Sequence, residues 1–282
     1  MHLPPLARAT VDRDAASRTS DEALAAAWES AQVLVVDEQG RALVDGTDLV
    51  LVPSPAAPEG ERLYLGRLDG QSFFAVRGDL PRRLGARPLG LREVGAVLGD
   101  RDAGLLVHAI GLTNWHAVHP RCPRCGTPTD VVQGGAVRRC PSDGSEHFPR
   151  TDPAVIVLIT DGADRCVLGR QATWPPGRYS TLAGFVEPGE SAEQAVVREV
   201  QEESGLRVRD VTYCASQPWP FPSSLMLGFR ARCDADAVPA AQDGELEDVR
   251  WFDRDELRDR FTGGPPQVSI AHSLISHWLT EA

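Results

Sequence analysis

Between residues 120 and 150 the hydrophobic periodicity found elsewhere in this 282-residue chain stops, and Cys, Gly, Pro and Arg take over. A stretch so poor in core-forming side chains needs a staple or a neighbour to stay folded. The chain therefore cannot be one continuous core. The interruption carries Cys122 and Cys125 as C-x-x-C, with Cys140 after fourteen intervening residues. Clustered cysteines in a chain with no apparent secretory leader favour a bound metal over disulfides. Cys166, Cys214 and Cys233 stand apart in apolar, strand-like sequence and read as core residues.

Four segments follow. Residues 1–25 are expected to be a poorly ordered lead or a helical overhang, and 26–119 a β-rich domain. In that domain "AQVLVVDEQGRALV" and "RLYLGRLDGQSFFAVRG" predict hairpins, and "AGLLVHAIGLTNWHAVH" a helix leading out. Residues 120–150 form a ribbon-like insert. In 151–282, strand signals ("PAVIVLIT", "RCVLGRQ", "LMLGFRARC", "VRWFDRDEL") alternate with helical ones, ending in "VSIAHSLISHWLT". The expected fold class is α+β. Hydrophobic content of 42% is that of a globular protein. No run of about 18 apolar residues is present, so no membrane partner and a cytoplasmic location are expected.

A formal net charge of −11 disfavours a broad basic surface for nucleic acid. It would also repel a phosphate-bearing substrate unless bound cations or local arginines reverse the sign. The acids concentrate in "TLAGFVEPGESAEQAVVREVQEESGL" (181–206), where Arg198 is the only cation. Ser191 with Gln194 is a capping box and Gly205 a stop, predicting a helix over 191–204. Glu199, Glu202 and Glu203 should share one face, and Val196, Val197 and Val200 the adjoining, core-facing arc. Like charges so close destabilise a helix, so a cation should compensate. Hard oxygen donors on a rigid helix suit magnesium or manganese. A solvated acidic face paired only with Arg198 is the plainer alternative.

Gly184, Glu190 and "REVQEESGL" (198–206) together match G-x5-E-x7-R-E-U-x-E-E-x-G-U, with Val200 and Leu206 at the apolar positions. The chain thus resembles the Nudix hydrolases. Downstream, "SQPWPFPSS" (216–224) is similar to the array that marks the NADH pyrophosphatases, or NAD-capped RNA hydrolases, within that family. Read from residues alone, this proline-rich stretch cannot be a central strand and should be a stiff loop presenting Trp219 and Phe221.

The resemblance implies a Nudix α/β/α sandwich, a β-rich Nudix-like N-terminal domain, and a zinc ribbon between them. It implies hydrolysis of NAD(H) to nicotinamide mononucleotide and AMP, NAD-capped RNA as a larger substrate, and a homodimer. By resemblance, Glu199, Glu202, Glu203, Glu245 and the Ala183 backbone hold magnesium or manganese, with Glu203 or Glu202 as general base. Phe148, Gln217, Pro218, Trp219, Pro220, Phe221, Pro222, Ser223, Ser224 and Ala271 fall at substrate positions. Phe185 is a platform for the nicotinamide ring.

In C-x2-C-x14-C-x2-C the fourth cysteine is replaced by Asp143. Zinc is then completed by Asp143 or by His147, or the ribbon has lost its metal and holds by packing. His108, His116, His119, His272 and His277 lie on helical stretches and read as structural or surface residues. Two rivals remain open: a Nudix hydrolase of ADP-ribose or a diadenosine polyphosphate, and a non-catalytic nucleotide- or RNA-binding regulator.

Overall fold

The computed structural model describes residues 3–162, 164–242, 244–260 and 266–281. It comprises two compact units, one of Met1–Ala7, Asp152–Pro218 and Ser224–Ala282, the other of Arg8–Thr151 and Trp219–Ser223.

The Arg8–Thr151 unit begins with helices α1 (Ala15–Arg18) and α2 (Asp21–Glu29). Seven strands follow: β1 (Gln32–Val36), β2 (Arg41–Asp45), β3 (Asp48–Leu49), β4 (Leu51–Pro53), β5 (Leu63–Leu68), β6 (Gln71–Arg77) and β7 (Arg87–Gly90). Their order is β3-β2-β1-β6-β5, with β4 also on β1 and β7 on β2. Both predicted hairpins form, β1 with β2 and β5 with β6. Helices α3 (Leu91–Val94) and α4 (Asp100–Val118) complete the domain, α4 being the predicted exit helix.

In its described part the lead carries α1 and the start of α2 and is held to the sheet. Asp12 and Arg67 exchange backbone hydrogen bonds of 2.9 and 2.8 Å. This approach depends on Gly66, where a Cβ would lie 1.9 Å from the Asp12 carbonyl oxygen. Tyr64 donates to Asp14 at 2.8 Å. Leu24, Ala27 and Trp28 of α2 pack on the buried Tyr64, Phe74 and Val76. Charged and small residues dominate the lead's composition and mask these few apolar contacts.

The ribbon strands β8 (Asp130–Val132), β9 (Val137–Arg139) and β10 (Glu146–His147) make a three-stranded sheet. Buried Arg138 fastens it, donating to the Thr129 hydroxyl at 2.7 Å, the Thr129 carbonyl at 2.9 Å and His116 Nδ1 at 2.8 Å. Arginine keeps its proton, so Nδ1 accepts and His116 Nε2–H donates to the Gly135 carbonyl at 2.9 Å. Burial lowers the His116 pKa, consistent with this neutral form. The histidine thus joins α4 to the ribbon.

The second unit contains β11 (Asp152–Thr160), β12 (Arg165–Arg170), β13 (Leu182–Phe185), α5 (Ala192–Ser204), β14 (Arg209–Trp219), β15 (Ser224–Arg232), β16 (Asp248–Asp253), α6 (Arg254–Arg260) and α7 (Ile270–Thr280). The sheet runs β14-β15-β11-β12-β16, with β13 also on β11. Strand β11 is apolar at nearly every position because both its faces are covered. Val155, Val157 and Ile159 pack in the layer with Val196 and Val200 of α5, while Ile156 and Leu158 pack with Leu274, Ile275 and Trp278 of α7. This is the α/β/α sandwich.

The two sheets share one pairing scheme. β11 is antiparallel to β12 and β13 and parallel to β15. Likewise β1 is antiparallel to β2 and β4 and parallel to β6. β16 lies on β12 as β7 lies on β2. Where the second unit has α5, the first has only a short connection between β4 and β5. The N-terminal domain is a Nudix-like sheet without the acidic helix.

One expectation changes: Ser216 to Trp219 end the strand β14 and are not loop. β14 is the outermost strand, where Pro218 breaks no central ladder. The turn is confined to residues 220–223, and the Phe221–Pro222 peptide is cis.

Candidate functional site

Helix α5 begins and ends where its sequence dictates. The Ser191 hydroxyl accepts from Gln194 N at 3.2 Å, and Gln194 Oε1 accepts from Ser191 N at 2.8 Å. Gly205, at φ 69°, closes the helix, its N–H donating to the Gln201 carbonyl at 2.9 Å. At about 100° per residue, Glu203 lies next to Val196, Glu202 on the far side of Glu199, and Val197 about 120° or more from each of the three acids. The acids consequently differ in environment: Glu203 is 5% exposed, Glu199 half-buried and Glu202 exposed. Val197 is 44% exposed, so only Val196 and Val200 of the three valines reach the core.

The signature glycine has a steric role. A Cβ on Gly184 would lie 1.9 to 2.1 Å from the Glu199 carboxyl atoms. Strand β13 can therefore receive the carboxylate only if residue 184 has no side chain. Beside it, Arg198 donates to Glu190 (2.7 and 2.9 Å), Glu199 (3.0 Å), Glu202 (2.9 Å) and the Phe185 carbonyl (2.8 Å). The Arg198 guanidinium holds Glu190 down at about 2. Burial raises the Glu199 pKa, opposed by Arg198 and reinforced by the charges of Glu202 and Glu245. Glu187 N donates to Glu190 at 3.0 Å, fixing the loop before the helix. Arg198 is thus an organiser of carboxylates, and Glu190 a partner of Arg198.

The donors on this face are oxygens, which fits magnesium or manganese. Glu245 is exposed on the loop before β16, close enough to influence Glu199 electrostatically. Ala183 lies in β13 opposite Ile156. Among the described residues these acids are not gathered within 4.8 Å of one another as the ribbon ligands are.

The other expected positions scatter in environment. Phe185 and Phe148 are exposed aromatics, at 58% and 64%. Gln217 is fully buried in β14, and neither of its amide atoms has a hydrogen-bond partner among the described residues. A buried amide left this way asks for a polar partner. Ala271 of α7 is 1% exposed, in the core cluster that Ala183, Cys214 and Ala215 pack against. In the Arg8–Thr151 unit, Trp219 and Phe221 meet edge to face, with ring centroids 4.9 Å apart. Arg92 lies 4.2 Å above the Phe221 ring and 5.6 Å from that of Trp219. Asn114 Nδ2 donates to the Pro220 carbonyl at 3.0 Å. Arg92 and Asn114 were invisible in the sequence, since neither belongs to a motif and both are remote from the turn along the chain.

The ribbon brings Cys122, Cys125, Cys140 and Asp143 together, their ligand atoms all within 4.8 Å of one another. His147 stands outside this group, its Nε2 3.1 Å from the Ser145 hydroxyl. The Ser145 side chain and amide hold the Asp143 carboxyl at about 2, ready to ligate as an anion. Three thiols and a carboxylate fit zinc. Cys166 and Cys233 are buried and Cys214 half-buried, as core cysteines should be.

Three family models match in succession: an NADH pyrophosphatase-like rudimentary NUDIX domain at residues 22–115, an NADH pyrophosphatase zinc ribbon domain at 118–148, and a NUDIX domain at 150–273. Proteins of Mycobacterium bovis and Mycobacterium tuberculosis, each named NAD-capped RNA hydrolase NudC, are 42% identical over 98% of this chain and 95% of their own length. The human NAD-capped RNA hydrolase NUDT12 is 44% identical over 64% of this chain and 43% of its own. With the signature acids set on α5 and the ribbon following the Nudix-like domain and preceding the NUDIX domain along the sequence, this chain belongs to the Nudix family, in the branch that carries an NADH pyrophosphatase zinc ribbon.

Proposed function

We propose that this protein hydrolyses the pyrophosphate bond of NAD(H), giving nicotinamide mononucleotide and AMP, and cuts the same bond in a 5′-NAD cap on RNA. The observation that carries this reading is the carboxylate face of α5 set against side-chain-free Gly184, in a chain that also has the SQPWPFPSS array. Relatives named NAD-capped RNA hydrolases, similar over nearly the full length, support it.

Glu199, Glu202, Glu203 and Glu245, with the Ala183 carbonyl, would hold magnesium or manganese. When bound, such ions neutralise the diphosphate and acidify water. Glu203 is the proposed base: its buried carboxylate takes the proton of a water whose oxygen bonds to one phosphorus as the bridging P–O bond breaks. Arg198 keeps Glu199 and Glu202 oriented. Phe185 would stack the nicotinamide, and Gln217 would meet polar groups of the substrate. Phe148, Pro218, Trp219, Pro220, Phe221, Pro222, Ser223, Ser224 and Ala271 are the proposed substrate positions on the family resemblance, with Arg92 and Asn114 supporting the turn within the Arg8–Thr151 unit.

The proposed domains are 26–119, 120–150 and 151–282, and the proposed assembly is a homodimer. Exposed Val118 and Phe148, at 70% and 64%, leave apolar surface for a second copy. A cytoplasmic location accords with six free cysteines. Among the described residues no helix is long and apolar enough to cross a membrane.

Product analysis with NADH, ADP-ribose and NAD-capped RNA, with and without added manganese, tests the activity. Metal-dependent release of AMP and nicotinamide mononucleotide from NADH supports it. Turnover of ADP-ribose alone, or no turnover, would reject it in favour of another dinucleotide or a binding role.

A further inference from the structure

The two turns that present the ribbon ligands repeat one another. Arg121-Cys122-Pro123-Arg124-Cys125-Gly126 and Arg139-Cys140-Pro141-Ser142-Asp143-Gly144 share R-C-P-x-(C/D)-G, with Asp143 in the place of Cys125. The backbones match as well. Gly126 N donates to the Cys122 carbonyl and Gly144 N to the Cys140 carbonyl, both at 2.9 Å. Cys122 N donates to the Thr127 carbonyl at 2.8 Å and Cys140 N to the Ser145 carbonyl at 2.9 Å. The glycines lie at φ 75° and 72°. In each turn the first ligand is buried and the second exposed.

From this repeat and its spacing we infer that the ribbon holds zinc through three thiolates and one carboxylate oxygen, Asp143 Oδ2, with Ser145 and His147 next to the ligands and not among them. Tetrahedral zinc with thiolate and carboxylate bonds of ordinary length separates two sulfurs by about 3.8 Å and a sulfur from an oxygen by about 3.6 Å. Here Cys125 Sγ and Cys140 Sγ are 3.5 Å apart, and Cys122 Sγ is 3.8 Å from Asp143 Oδ2. The other carboxylate oxygen, Oδ1, is engaged by Ser145 N at 2.9 Å and Ser145 Oγ at 2.6 Å. Oδ2 therefore points to the sulfurs. His147 bonds the Ser145 hydroxyl at 3.1 Å and Cys122, and that hydroxyl lies 3.6 Å from Cys122 Sγ, positions that orient ligands while Asp143 completes the ligand group. The exchange of cysteine for aspartate preserves the net charge of the filled site, since each donates as a monoanion, whereas histidine would change it by one.

The test uses the full-length protein purified with zinc, following metal content and the rate of zinc transfer to a chromogenic chelator, then the absorption spectrum of the cobalt-substituted protein. Asp143→Asn keeps the shape of the side chain and should release zinc at least about 100-fold faster, and Ser145→Ala and His147→Ala each about 10-fold faster than the parent. Asp143→Cys should retain zinc more tightly, and its cobalt form should gain sulfur-to-metal charge-transfer intensity by about one third, for four thiolates in place of three. Circular dichroism checks that each variant folds. Absence of stoichiometric zinc in the parent, an unchanged rate in Asp143→Asn, or a cobalt spectrum altered by His147→Ala but not by Asp143→Asn would overturn the assignment.

Discussion

Gly184 meets the Glu199 carboxyl so closely that residue 184 cannot gain a side chain while the carboxylate stays in place. Replacing Gly184 by Ala would put a methyl group where the Glu199 carboxyl now sits. Displacement of about 1 Å at a reacting centre costs on the order of 100-fold in rate. Gly184→Ala should therefore lose activity by about that factor while far-UV circular dichroism stays at the parent value; parent-like turnover would show that the contact has no function. Glu190 acts through Arg198. Its carboxyl is held at about 2, below the ordinary 4.5, so the pairing contributes stability that is fully present above pH 4.5 and is lost as pH falls towards 2. Melting curves of the parent and Glu190→Gln should differ at pH 7 and converge across that window. A gap that stays constant with pH would refute the charge-assisted pairing.

At the level of elements, α5 was the most legible part of the chain. Its capping box and stop are local signals, and each is met by a local hydrogen bond. Less legible was how its acids divide between water and core. Sequence spacing places Glu203 on the acidic arc, yet it borders Val196 and is drawn into the layer with it, while Val197 turns outward. The SQPWPFPSS array was recognisable as a motif, but its first half is an edge strand, a distinction that depends on which neighbour β14 has on each side. The contacts of Arg92 and Asn114 with this segment join distant parts of the sequence and carry no periodic or motif signal. The same holds for the joint between α4 and the ribbon. His116→Ala removes an acceptor from Arg138 and a donor from the Gly135 carbonyl, leaving buried polar groups unmatched. The expected loss is about 1–3 kcal/mol in chemical denaturation; no loss would mean that the ribbon is held by other contacts.

On the scale of the whole molecule, the N-terminal sheet repeats the strand pairing of the catalytic one without its acidic helix. Sequence exposed the hairpins of that domain, but its likeness to the second sheet lies in pairings between strands far apart in the chain. With a net charge of −11, recognition of capped RNA should rest on the cap and not on the RNA backbone. KM for NAD-capped RNA should therefore vary little between 50 and 200 mM salt, by less than about tenfold, where a protein contacting many phosphates would lose on the order of a thousandfold or more. A steep salt dependence would reveal a basic track for RNA.

The central claim is that the carboxylate face of α5 is a catalytic metal site with Glu203 as its base. The most direct measurement is the rate of AMP release from NADH by Glu203→Gln against the parent at saturating manganese, with melting temperatures alongside. The account predicts a fall of about 10²- to 10⁴-fold in rate with the fold retained. Hydrolysis by Glu203→Gln at the parent rate would contradict it.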